Sequence, residues 1–157
     1  MKIVLPILLI ALGFAVVWYM QASSSTLPEK AELLASNTVL AEFTGVQDQP
    51  CRFMTTLCPD RCDHATRLAS FKVLENKAYE HPGKYGDDKL SPGDTAVVDV
   101  QKDIPGQPAE IAQTISRLTP GDVVTLTIVH YYVQQGQGQF PVRPAVSIQP
   151  AASRSAP

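Results

Sequence analysis

The chain has little of what would assign a chemistry at sight. It contains only three cysteines and three histidines in 157 residues, with 13 Lys and Arg against 15 Asp and Glu for a net charge of -2. No glycine-rich phosphate loop and no G-x-S-x-G nucleophile elbow is present, which leaves nucleotide-phosphate cradles and hydrolase-type acyl transfer without support. A surface for phosphate backbones needs clustered cations. Here Lys and Arg are dispersed, so nucleic acid is not expected as a partner. No nucleophile, base and orienter fall into a grouping that would suggest hydrolytic catalysis.

Charge is also missing from the start of the chain. After Lys2, residues 3–20 carry none, with Trp18 and Tyr19 near the far end of the run and small residues at 22–26. Such a segment is an export signal or a membrane anchor. It exceeds the roughly 7–15 apolar residues of a signal core and approaches the ~20 of a membrane span, and interfacial aromatics favour retention. No cysteine occurs before Cys51, which excludes a lipid-modified N-terminal cysteine. Residues 1–22 are therefore expected to form a signal anchor or signal peptide, with the membrane as a partner through this helix. The remainder is expected on the periplasmic or extracytoplasmic side of the cytoplasmic membrane, where a protein of the cell envelope is a further candidate partner.

Residues 23–37 read as a stalk with room for a helical turn or two. Residues 150–157, built only from Pro, Ala, Ser and one Arg, read as a disordered tail, because they bury too little to order themselves. Between them, residues 38–149 show period-2 patterning at 38–46 (Val39, Ala41, Phe43 on one face), at 67–74 (Ala69, Phe71, Val73) and at 95–101. Ser91-Pro92-Gly93-Asp94 and Thr119-Pro120-Gly121-Asp122 are turn signals. The period shifts where Ile111, Ile115 and Leu118 fall at i, i+4 and i+7, predicting one short helix, with Pro108 near its first turn. A long strand follows at 123–133. A last strand takes in Phe140, Val142, Val146 and Ile148, where Pro141 and Pro144 restrict it to an edge or to interrupted pairing.

Three strands, one helix, two strands is an order that resembles the OB-fold. The implied fold class is mainly β: a five-stranded OB-like Greek-key barrel with one helix between strands 3 and 4. In such a barrel the connection between the first two strands flanks the ligand-binding face. Phe71 on the second strand has core parity and is expected to pack rather than to stack a ligand.

That connection holds every cysteine. Cys51, Cys58, Cys62 and His64 follow C-x6-C-x3-C-x-H, and three thiolates with one imidazole make a soft ligand set suited to Zn or Cu(I). The core, Cys58-Pro59-Asp60-Arg61-Cys62, is similar over about a dozen residues to the CPxxC copper site of Sco-type copper chaperones. The resemblance implies Cys58 and Cys62 as metal thiolates. His130, on the inward parity of the longest strand, is a rival ligand to His64, against the plainer role of a hydrogen-bonded structural histidine. His81, beside Pro82, reads as solvated. Arg143, between two prolines, reads as a clamp on a carboxylate or a turn carbonyl.

Two other readings of the cysteines stay open. A disulfide (Cys51 with Cys62, Cys51 with Cys58, or Cys58 with Cys62) would staple the connection in an oxidising compartment and leave one thiol over. The protein would then be a structural or interaction domain. A reversible Cys58–Cys62 couple resolved by Cys51 would make it a thiol-disulfide redox protein. The expected function is a membrane-anchored exported binding or assembly module whose cluster binds copper or zinc.

Overall fold

Val39, Ala41 and Phe43 are two residues apart, and a pleated strand sends such residues to one face. All three are buried at the centre of β1 (Ala31–Gln49). The computed structural model describes residue 27 and residues 29–50, 65–85 and 88–151. On one side β1 pairs with β2 (Thr66–Glu80), which pairs in turn with β3 (Thr95–Asp99). On its other side β1 pairs with β4 (Val123–Gln135), whose outer flank carries both β5 (Gly138–Val142) and β6 (Ala145–Pro150). Every pairing is antiparallel. The helix α1 (Glu110–Ile115) lies between β3 and β4 in the chain. The protein is thus mainly β, a curled antiparallel half-barrel compatible with a small barrel, with a single short helix among the described residues.

The curl has a local cause. Register between β1 and β2 shifts at Thr38/Val39, at Leu40/Ala41 and at Phe43/Gly45, and each irregularity bends and twists the strand that bears it. The concave face holds the core. Phe71 is fully buried and tilts against Phe43 at 5.3 Å between ring centroids, so its expected packing role stands. Ile111 and Ile115 bring the buried side of α1 onto the same cluster.

Three expectations need correction. Residues 31–37, expected in a stalk with a helical turn, belong to β1, and Ala31 pairs with Val133. Ala, Glu and Leu favour helix, but the measured preferences are worth only tenths of a kcal/mol per residue. Pairing with β4 and full burial of Leu34 and Ala35 outweigh them. The single last strand is two: Arg143-Pro144 breaks it, so β5 pairs with the second half of β4 and β6 with the first, giving six strands among the described residues in place of five. The end of the sheet also lies later than expected, since Pro150 pairs with Val124 and the Ala151 amide donates to Val123 O at 2.9 Å. Residues 1–26 and 152–157 lie outside the described residues, and with them the signal-anchor and tail expectations. Among the described residues no helix is long and apolar enough to cross a membrane.

Two matching turns set the starts of β3 and β4. In Ser91-Pro92-Gly93-Asp94 and Thr119-Pro120-Gly121-Asp122 the glycines have φ of +96° and +100°, a region open to glycine and strained for other residues. The Asp carboxylates accept the Ser91 and Thr119 amides, both at 2.7 Å. Each turn also docks on the strand beside it in the same way. The Val73 amide donates to Asp94 O while the Gly93 amide donates to Val73 O. Phe43 stands in the same relation to Asp122 and Gly121. A Cβ at either glycine would meet no atom within 4 Å, so Gly93→Ala and Gly121→Ala test backbone strain without steric overlap. Each is expected to cost about 1–2 kcal/mol, read as a lowered urea midpoint with an unchanged m-value. A midpoint equal to wild type would show that the positive φ is not required.

Candidate functional site

A half-barrel leaves a seam between its two margins, here β3 on one side and the β5–β6 line on the other. Gln107, itself buried, bridges that seam. Its amide Nε2 donates to Asp99 O at the end of β3 at 2.7 Å, and its Oε1 accepts the Ala145 amide at the start of β6 at 3.1 Å. Beyond this stitch the margins part around a cavity of about 260 Å3. Ala96 and Val97 of β3 line one wall, Ile128 and His130 of β4 another, and Asp88 and Arg143 also border it.

The floor of the cavity depends on Asn37. This buried side chain accepts the Leu90 amide at 3.0 Å and Asn76 Nδ2 at 3.2 Å, and donates to Asp88 O at 3.0 Å. Asn76 donates again to Leu90 O at 2.7 Å, so two strand asparagines hold residues 88–90 against the sheet. The carboxylate of Asp88 is thereby presented to His130. The two meet through His130 Nδ1 and Asp88 Oδ2, in close contact without aligned hydrogen-bond geometry. Arg143 Nη2 lies 3.4 Å from both Asp88 oxygens, which bears out the expected carboxylate clamp. The histidine side chain is 7% exposed, whereas Asp88 is 33% and Arg143 53% exposed. His130 Nε2 is buried and has no hydrogen-bond partner.

A buried, unpartnered ring nitrogen costs roughly 1–3 kcal/mol. His130 itself is one of the residues that border the cavity. A neutral imidazole offers one ring nitrogen as a donor and the other as an acceptor, so Nε2 can take either role toward an incoming group. A polar group that enters this mainly apolar pocket would find His130 among the residues lining it.

The chain matches no protein-family model, no curated protein and no solved structure.

Of the residues expected to form a site, Cys51, Cys58, Cys62 and His64 lie outside the described residues. The ends of their connection are described: Gln49 pairs with Thr66, and Thr66 Oγ1 donates to Asp99 Oδ2 at 2.6 Å. His130 is brought together with Asp88 and Arg143. Among the described residues no three His, Cys, Asp or Glu side chains cluster as a metal would require. His81 is exposed, with its ring parallel to that of Tyr79 at 6.1 Å and its Nε2 3.3 Å from Tyr85 O. Sequence reasoning missed Asp88 and Asn37, the first taken for part of a polar loop and the second for part of a stalk. No local pattern marks either, since their partners lie 39 to 55 positions away.

Proposed function

We propose that this protein is an extracytoplasmic binding module tethered by its N-terminal apolar segment, built on an OB-like barrel, whose ligand site is the seam cavity beside His130. The observation that carries the reading is that His130, a residue bordering the pocket, has a buried Nε2 without a hydrogen-bond partner. A soluble domain seldom leaves such an atom unpaired unless something else pairs it. The barrel assignment is supported by the strand order β3-β2-β1-β4 with an interrupted outer strand, and by the helix between β3 and β4. The test is a panel of single-ring compounds added to protein labelled with 15N-histidine. Perturbation of the His130 ring signals by some members is expected, and no response to any member would remove the reading.

A second reading concerns the connection between β1 and β2. Pairing of Gln49 with Thr66 closes its ends onto one point, and this supports convergence of Cys51, Cys58, Cys62 and His64 on one copper or zinc ion, as an assembly module of the cell envelope would use. The whole chain purified without reductant is expected to carry Cu or Zn by elemental analysis and to lose it in a Cys58→Ser, Cys62→Ser double variant. A mass short by two hydrogens with no metal would replace this reading with the disulfide. A mass that switches reversibly with reductant would replace it with the thiol-redox alternative.

A further inference from the structure

We infer that the seam cavity takes an aromatic hydroxyl, with its ring against Leu90, Ala96 and Ile128 and its oxygen on His130 Nε2. The inference rests on the cavity being a ligand site and goes further by naming what fills it.

Size comes first. Pockets for drug-sized molecules enclose roughly 300–1,000 Å3, and about 260 Å3 suits a single ring better than a nucleotide or a sugar chain. Lining comes next. Leu90, Ala96, Val97 and Ile128 offer hydrocarbon to the ring, whereas the polar groups of Asn37 are already committed to Leu90, Asn76 and Asp88. The head group is then chosen by His130 and its neighbour. A carboxylate entering beside His130 would meet the carboxylate of Asp88, and like charges repel. A hydroxyl carries no charge and can either donate to the lone pair of Nε2 or accept from Nε2–H. It therefore satisfies the buried nitrogen in either protonation state. Arg143 and Lys89 border the cavity as well, but Arg143 already faces Asp88 and Lys89 Nζ lies 5.8 Å from the centre of the Tyr79 ring.

Two sources can supply such a group, a free phenol or a tyrosine side chain on an extended chain. The β3 margin suits the second. The bonds Val73 N–H to Asp94 O and Val100 N–H to Arg67 O, with the register of β2 and β3, turn the backbone groups of Ala96 and Val98 toward β2. Those of Thr95 and Val97 face the seam, because the two edges of an antiparallel strand alternate.

The experiment uses the whole chain labelled with 15N-histidine, with p-cresol, toluene and benzoate as probes. The expected result is that p-cresol binds about tenfold more tightly than toluene, the worth of one neutral hydrogen bond. It also exceeds benzoate and shifts His130 Nε2. In His130→Gln and Asp88→Asn, either of which serves if the other does not fold, the margin of p-cresol over toluene shrinks. Toluene or benzoate binding as tightly as p-cresol, with His130 still responding, would overturn the inference and leave the ligand site standing. Silence from all three probes would overturn both. Acetyl-Thr-Tyr-Thr-amide separates the sources. Tighter binding than p-cresol that is lost in Val97→Pro, which removes a seam-facing amide and leaves the β2 ladder whole, supports tyrosine on an extended chain. Equal affinity supports a free phenol.

Discussion

Replacing Gln107 with leucine is expected to lower the free energy of unfolding by about 2–4 kcal/mol. The residue is buried, and its side-chain amide satisfies two backbone groups from opposite margins of the sheet, Asp99 O at 2.7 Å and the Ala145 amide at 3.1 Å. Leucine fills much of the same space with hydrocarbon and leaves both groups unpaired, each at a cost of roughly 1–3 kcal/mol. Gln107→Glu is expected to be worse. It keeps an acceptor for Ala145 but turns a carboxylate oxygen toward the carbonyl of Asp99, in a place where a charge loses its hydration. The exposed Gln113 on α1 is the control, and Gln113→Leu should stay within about 0.5 kcal/mol of wild type. Urea unfolding reads all three. The Ala145 amide should also exchange with solvent faster in Gln107→Leu, because its bond lies on the seam. An unchanged midpoint together with unchanged exchange at Ala145 would mean that the margins are held by α1 packing alone.

Much of the sheet was legible because alternation is a local signal. Val39, Ala41 and Phe43, then Ala69, Phe71 and Val73, then Val124 and Leu126 all reach the core as their parity predicts, and the two Pro-Gly-Asp turns fall where their residues place them. Misreadings occurred where a long-range partner decides. Nothing within residues 31–37 says that Leu33 will pair with Tyr131 of β4, and their composition favours helix. The site was less legible still. Parity brought His130 inward and the prolines around Arg143 hinted at a clamp. Yet Asp88, which joins them, sits in a loop whose position is set by Asn37 and Asn76 on two strands. Side-chain hydrogen bonds between distant segments leave no periodicity to read. The cysteine connection shows the converse, a loud local pattern rooted at Gln49 and Thr66.

Asn37→Leu is expected to produce the other large effect, and it should act on the site as well as on stability. Three side-chain hydrogen bonds disappear: those accepted from the Leu90 amide and Asn76 Nδ2, and the one donated to Asp88 O. At about 0.5–1.5 kcal/mol net for each, plus the exposure of buried groups left unpaired, the loss should reach roughly 3 kcal/mol. The segment it releases, residues 88–90, carries Lys89, which gives the prediction a direct readout. Under native conditions trypsin should nick the chain at Lys89 several-fold faster in Asn37→Leu than in wild type, because local opening of the segment costs less. Asn37→Asp separates the contributions. It keeps the acceptor for Leu90 and Asn76 but loses the donor to Asp88 O, so it should free Asp88 more than Leu90. If the asparagine matters to function chiefly by aiming Asp88 at His130, Asn37→Asp should disturb the His130 ring signals while nicking at Lys89 rises only modestly. Wild-type His130 signals in both variants would show that Asp88 is positioned by Arg143 and that Asn37 serves the sheet alone.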